Sequence, residues 1–467
     1  MTLSEWRSTE RGRVTSYCIT HHLPEVPMPP HERFRFRSLD ELRGRAAELG
    51  LDIPFEEDLT PLTQPVQVAS LRVPNALAVH PMEGCDGTAD GRPGDLTIRR
   101  YERFARGGAG LLWFEATAIL PEARANPHQL TLIEANLPAF RDLLAHTLQI
   151  ARQANGQEFR PLTVLQLTHS GRYSKPQGKP APILAHHDPL LDPTVSAAPD
   201  QPLIDDATLD ALPDVYVRAA RLAREAGFDA VDIKSCHRYL LSELLAAHTR
   251  PGRYGGSYEN RTRLLLEVVR RVQAEVPGIL VTTRLNIFDG HPYPHGWGVS
   301  RDDPNTPDLT EPLRLVRQLY DSGVRLLNVT AGNPYFSPHI NRPYDQPMQG
   351  VKLVDEHPLV GVARLIHLAR AVQEEVPGMV VVGTGYSWFR QYLGQAAAGV
   401  LRRGWARIIG VGREAFAYPD FARDLLSGGI DPRKVCLTCS WCSYLMRRGQ
   451  AGCPIRDREA YSKPEES

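Results

Sequence analysis

Eight short runs of apolar, mostly β-branched residues set the rhythm of this chain. They are NALAVH (75–80), GLLWFEA (110–116), PLTVLQL (161–167), AVDIKS (230–235), LVTTRLN (280–286), RLLNVTA (325–331), MVVVGTG (379–385) and ARIIGVG (406–412). Between most of them lie amphipathic helical patterns: AFRDLLAHTLQIARQA, LPDVYVRAARLAREAG, RTRLLLEVVRRVQAEVPG and LVGVARLIHLARAVQEEVPG. Several end in glycine, the residue that most easily takes the left-handed conformation closing a helix. Continuous apolar strands alternating with amphipathic helices require a parallel sheet covered on its outer face. Eight such units over about 350 residues predict a (β/α)8 barrel with long insertions. The competing doubly wound sheet has fewer strands and a glycine fingerprint after its first.

Composition narrows the function. Basic and acidic residues balance at 54 each, so no net field draws the chain to nucleic acid or a membrane. No apolar run approaches the roughly 20 residues that span a bilayer. The N-terminus MTLSEWRSTERGRV is polar, without the apolar core of a signal peptide. The expectation is a cytoplasmic protein, where clustered cysteines are metal ligands or redox groups more often than disulfides.

In a barrel the active site lies at the C-terminal strand ends. Here those ends read HPMEG, EATA, QLTHSGR, DIKSCHRY, RLNIFD, NVTAGN, VGTGYS and GVGRE. Polar, cationic and glycine residues gather there while strand interiors stay apolar, which predicts an enzyme. The seventh and eighth runs end in GTG (383–385) and GVGR (410–413). Glycines let backbone amides approach an anion, and Arg413 adds a charge-assisted donor, so these loops predict a phosphate site; tight turns alone are the alternative.

The segments NALAVHPMEG, GGAGLLWFEATAI, VLQLTHSGR, AGFDAVDIKSCHRYLLSELL and RYGGSYENRTRLLLEVV carry a resemblance. The chain resembles the Old Yellow Enzyme family of FMN-dependent barrels. More narrowly, it is similar to the iron–sulfur branch that includes 2,4-dienoyl-CoA reductase and trimethylamine dehydrogenase, whose members show a GYLL segment followed by YGGS-EN-R. The likeness runs over roughly residues 65–455. It implies FMN as cofactor. Pro81, Met82 and Ala116 would line the isoalloxazine, Gln166 would bond its pyrimidine edge, and Arg284 would face N1 and O2. Gly385, Gly412 and Arg413 would hold the phosphate. Charge logic agrees at Arg284, because a fixed cation stabilises the anionic reduced flavin without reorganisation. An internal salt bridge or a strand-end hydrogen bond is the plain alternative for Arg284 and Gln166.

The resemblance also implies a substrate face. After the fourth strand the family has His, then His or Asn, binding a substrate oxygen, and a Tyr protonating carbon after hydride transfer. His237 and Tyr239 match; Lys234 stands where the family has His. An ammonium can still polarise a carbonyl, and as a neighbouring cation it is expected to lower the Tyr239 pKa. The alternative pairs Lys234 with Glu83 or Glu115. His169 and Arg172 either position the flavin or brace their loop, and Cys85 and Cys236 are expected to pack. Cys18 falls in an N-terminal extension (1–65) ahead of the barrel (66–430).

The remaining cysteines are concentrated in VCLTCSWCSYLMRRGQAGCP. Cys436, Cys439 and Cys442 form CxxCxxC, and Cys453 follows. Such a run with a distant fourth thiol predicts a [4Fe–4S] cluster in a C-terminal segment (431–467); zinc more often sits between two separated CxxC knuckles. The resembling enzymes carry a similar run after the barrel, and the longer ones follow it with an FAD- and NAD(P)H-binding module. The three GxG stretches here lack the third glycine of a dinucleotide site, so that module is expected to be absent and electrons to come from a separate donor protein or reductase. The reading is an FMN- and [4Fe–4S]-dependent oxidoreductase reducing an activated C=C bond in an enoyl-CoA, enoate or enone. The alternatives are an amine dehydrogenase exporting electrons through the cluster and an FMN/Fe–S electron-transfer subunit.

Overall fold

The computed structural model describes residues 29–463, so Cys18 lies outside the described residues. Ten strands are present among the described residues. A hairpin of β1 (Val66–Val68) and β2 (Leu71–Val73) precedes eight parallel strands. These are β3 (Leu77–Val79), β4 (Leu111–Ala118), β5 (Leu162–Thr168), β6 (Ala230–Ile233), β7 (Leu280–Phe288), β8 (Leu326–Ala331), β9 (Val380–Gly383) and β10 (Ile408–Val411). They pair in sequence order and close through β10 against β3, making the expected barrel. Each run read from the sequence overlaps one barrel strand.

Strand burial explains why the runs were so apolar. Every residue of β4, β5, β6, β8, β9 and β10 is buried, because one face meets the barrel interior and the other the helices. The hairpin was not anticipated from sequence. Val66, Val68 and Val73 pack with Ala78, Leu111, Trp113, Val164 and Val382 in one interior cluster, so the hairpin closes the N-terminal end of the barrel. Fully burying such a side chain contributes about 1.5–3 kcal/mol.

Local signals fix the helices between strands. Asp205 caps Asp206–Ala226 by accepting from the Thr208 amide, and Gly227 ends it at φ 103°. Ser257 caps Tyr258–Glu275 through the Asn260 amide. The segment before the hairpin also packs on the barrel, with Leu42 and Leu62 fully buried in the main core. Among the described residues no helix is long and apolar enough to cross a membrane.

The C-terminal segment is pinned across the C-terminal mouth of the barrel. The Ala451 amide donates to Gly84 O (2.8 Å), Ser440 Oγ to Gln346 O (2.7 Å), and the Cys436 amide to Glu414 Oε2 (3.0 Å). Buried Asp457 takes both Arg99 and Arg103. These bonds place the late cysteines beside the strand ends where the chemistry was expected.

Candidate active site

A cavity with about 1000 Å³ of empty space opens at the C-terminal ends of the strands. It gathers residues separated by more than three hundred positions. From β3 come Pro81 and Met82, from β4 Ala116, and from β5 Gln166. Lys234, His237 and Tyr239 follow β6, and Arg284 rises from β7. Gly385, Gly412 and Arg413 close the ring after β9 and β10. The residues assigned to the flavin, its phosphate and the substrate face therefore line one space, while His169 and Arg172 lie outside it.

Several of these groups are incompletely bonded within the protein. Arg284 is buried, its Nε lacks a hydrogen-bond partner, and burial lowers its pKa against the attraction of Cys236 and Asp232. Its main-chain amide, by contrast, donates to Asp232 Oδ1 at 2.6 Å. Arg413 donates through Nη2 to Pro343 O (2.6 Å) and leaves Nη1 buried without a partner. Gly385 sits at φ 103°, and a Cβ on Gly412 would meet Met82 Sδ at 2.5 Å. Glycine at 385 thus meets a left-handed backbone, while at 412 the missing side chain leaves room for the Met82 thioether. Gln166 gives its amide nitrogen to Asp232 Oδ2 (2.5 Å), which leaves its carbonyl oxygen as the acceptor. Asp232 also accepts from Trp113 Nε1 (2.9 Å), and burial lifts its pKa to about 6. Two guanidinium groups with free donors and a glycine cradle fit a ligand with a phosphate at one end and an electron-rich ring at the other.

On the facing side, Lys234 places Nζ 3.8 Å from the centre of the Tyr239 ring. It is buried, and burial lowers its pKa. Glu115 is engaged by Arg100 at 2.6 Å, so it is not the partner of Lys234; Glu83 attracts Lys234 through space. Tyr239 Oη shares a hydrogen bond with Tyr335 Oη (2.8 Å) and reaches Glu83 Oε2 at 3.5 Å. The expected lowering of the Tyr239 pKa is overturned. Burial, then the Glu83 charge and Tyr335, raise it well above the usual phenol value, and these outweigh the ammonium.

His237 is held neutral by burial and by the surrounding cations Arg284, Lys234 and Arg342. Its Nε2 faces the Asn341 amide nitrogen at 3.0 Å. An amide nitrogen only donates, so the ring proton belongs on Nδ1. His237 and Arg238 both take left-handed backbone, φ 62° and 60°. Arg238 occupies the place of glycine in the GYLL-type segment. Its guanidinium is fully buried and bound to Asp289 (3.1 Å), Asp188 (3.3 Å) and His295 O (2.8 Å). Arg172 is likewise buried, in a network with Glu243 and Asp192, and braces its loop. His169 is buried, accepts from the Gly171 amide, and has a pKa lowered to about 4. Cys85 and Cys236 are buried free thiols.

The four late thiols line a second cavity, with about 340 Å³ of empty space, that contains Cys436, Cys439, Cys442 and Cys453. It shares Arg413, Phe416 and Cys442 with the main cavity. Left-handed turns at Thr438 (φ 50°) and Ser440 (φ 60°) fold the CxxCxxC run around it. Among the described residues no group of three or more His, Cys, Asp or Glu is placed to hold a single metal ion.

Sequence reasoning missed Tyr335, Asn341 and Arg342, which line the main cavity, and it saw Glu83 only as a possible lysine partner. All three missed residues lie in GNPYFSPHINRP, which leaves the C-terminal end of β8; that position was the available signal.

A family model described as NADH:flavin oxidoreductase / NADH oxidase matches residues 61–294. An NADPH dehydrogenase of Bacillus pumilus is 31% identical over 283 residues, covering 58% of this chain and 74% of the relative. An NADH oxidase of Thermoanaerobacter brockii is 23% identical over 381 residues, 80% of this chain and 52% of that protein. A 2-naphthoyl-CoA reductase, solved with 2-naphthoyl-CoA, shares the fold at TM-score 0.66 and 18% identity, covering 86% of this chain and 57% of that one. The chain thus spans a little over half the length of these two longer proteins.

Proposed function

The chain belongs to the NADH:flavin oxidoreductase / NADH oxidase family of FMN-dependent oxidoreductases, and on that footing we propose that it reduces an activated carbon–carbon double bond. One observation carries the reading: a buried phenol with a raised pKa, a buried ammonium and a neutral imidazole face the same cavity as two guanidinium groups with free donors.

The chemistry supplied by FMN when bound is two-electron hydride transfer. Arg413, with Gly385 and Gly412, would hold its phosphate; Arg284 would stand beside the ring edge that gains negative charge; Pro81, Met82, Ala116 and Gln166 would seat the ring. Lys234 Nζ and His237 Nδ1–H bind the substrate oxygen and stabilise the charge that develops on it. Tyr239 gives its phenolic proton to the substrate carbon. The raised pKa keeps that proton in place until it is needed, and the hydrogen bond with the Tyr335 hydroxyl holds the phenol in position.

We further propose that Cys436, Cys439, Cys442 and Cys453, in the segment 431–467, hold a [4Fe–4S] cluster supplying one-electron transfer from a separate donor protein. In support, their cavity shares a wall with the main one, and Cys439 also lines an open surface groove with Trp441 and Lys463. An amine dehydrogenase is disfavoured, because Lys234 would repel a cationic substrate.

The test is anaerobic mixing of the reduced holoprotein with 2-cyclohexenone, cinnamate and crotonyl-CoA. The flavin is expected to reoxidise with saturation of at least one of them. Tyr239→Phe is expected to slow that step about 10²–10⁴-fold while leaving flavin reduction intact. No reoxidation by any compound, or an unaffected Tyr239→Phe, overturns the reading.

A further inference from the structure

A proton given to carbon by Tyr239 must be replaced before the next turnover, and the surroundings of its hydroxyl restrict the source. Tyr239 is 1% exposed although it borders the main cavity, and its ring packs with Tyr173 and Val195 in an apolar cluster. Water therefore has little direct access to the phenol oxygen. Among the described residues two groups bond that oxygen, Tyr335 Oη (2.8 Å) and Glu83 Oε2 (3.5 Å). Both belong to half-buried residues that line the cavity, so both reach space that Tyr239 does not. Tyr335 cannot restore the proton. It is itself a phenol, and burial with the Glu83 charge raises its pKa above the usual value. Transfer from Tyr335 moves the phenolate by one ring and leaves the deficit in place. A carboxyl group, by contrast, exchanges protons readily with water and is a far stronger acid than a phenol, so it can hand its proton to a phenolate.

Local bonding orients Glu83 for this exchange. Its Oε1 accepts from Asn126 Nδ2 at 3.1 Å, and the Cys85 thiol stands 3.8 Å from the same oxygen. An amide nitrogen only donates, so Oε1 stays an acceptor and a proton on the carboxyl sits on Oε2, the oxygen that faces Tyr239. Burial raises the Glu83 pKa against the attraction of Lys234 and so favours the loaded acid. The 3.5 Å separation is long, as such contacts commonly are before substrate tightens a site. We propose that Glu83 is the proton relay that reloads Tyr239 between turnovers. The O–H bond at Glu83 Oε2 breaks, one forms at Tyr239 Oη, and the carboxylate left behind takes a proton from solvent; no electrons change hands. Glu83 acts only through Tyr239, as a positioning residue for its proton. The inference rests on the double-bond reading and adds to it the source of the replacement proton.

The experiment mixes reduced, FMN-loaded protein without oxygen with one equivalent of 2-cyclohexenone, cinnamate or crotonyl-CoA, whichever reoxidises the wild type. Flavin reoxidation and proton uptake from a weakly buffered solution are followed together, the second with a pH-indicator dye. In the wild type the two should coincide. Glu83→Gln should separate them: the flavin still reoxidises, while proton uptake lags behind it about a hundredfold, the low end of what general acid–base groups contribute. Formate, a small carboxylic acid, should remove the lag in that variant, and Glu83→Asp should retain part of the fast uptake. Uptake that keeps pace with reoxidation in Glu83→Gln would show that solvent reaches Tyr239 unaided and overturns the relay. Reoxidation slowed as far as in Tyr239→Phe makes Glu83 a prop for the Tyr239 ring and also overturns it, as does a lag that formate leaves unchanged. A wild type that none of the three compounds reoxidises overturns the double-bond reading and the relay together; the other failures overturn the relay alone.

Discussion

Tyr239 shows how a single residue's chemistry depends on neighbours that sequence order does not reveal. Lys234 is five positions away and was expected to lower its pKa; burial, with Glu83 and Tyr335 from the loops after β3 and β8, raises it instead. Tyr239 is therefore protonated up to and beyond its ordinary range, and His237 is neutral down to well below its own. Neither changes charge between about pH 6.5 and 10, the unperturbed values for His and Tyr. The rate of flavin reoxidation at saturating substrate is expected to stay flat around neutral pH and to fall on the alkaline side, where Lys234, its pKa lowered by burial, loses its proton. Glu83→Gln removes the negative charge that raises the Tyr239 pKa and leaves the ammonium as its nearest charge. The alkaline limb should then move to lower pH, and a profile identical to wild type would contradict the assignment. The family resemblance named Tyr239, His237 and Lys234 as candidates, at a strand end where a phenol, an imidazole and an amine stand together. It did not identify Tyr335 or Glu83 as their partners, because those contacts form only when the barrel closes.

Among the elements, the parallel strands were the most legible and the insertions the least. A strand buried on both faces must be apolar throughout, so each barrel strand shows in the sequence as a continuous run. The three-residue strands of the 66–73 hairpin are too short to display a period, and only the closed barrel explains their valines. The turn after β6 is the element on which the proposed substrate face depends most. Two successive left-handed residues present His237 and Tyr239, and Arg238 fastens that turn to Asp188 in one insertion and Asp289 at the end of β7. These partners lie about 50 positions from Arg238, so nothing local in the sequence announces them. Arg238→Ala would leave both carboxylates buried without their partner. It is expected to cost about 3–5 kcal/mol in denaturant unfolding and to lower the reoxidation rate. Arg238→Lys should recover part of the stability by restoring the charge. Equal stability of Arg238→Ala and wild type would show that the turn does not rely on this anchor.

At the scale of the whole molecule, the C-terminal segment converts a barrel into a site with two adjoining cavities. Bonds from Ala451, Ser440, Cys436 and Asp457 hold it over the mouth. The thiol spacing was plain in sequence, but the shared wall of Arg413, Phe416 and Cys442 was not, since it joins the end of β10 to a segment some thirty residues later. The central claim is that this mouth carries both a flavin and a thiolate-held cluster. It is tested most directly by purifying the full chain without oxygen and measuring FMN, iron and acid-labile sulfide per polypeptide. The expected result is equimolar FMN with iron and sulfide in equal amounts, the iron and sulfide lost in Cys436→Ser while FMN remains. Protein that refuses FMN when it is offered, or binds FMN but contains no iron or sulfide, would contradict the claim.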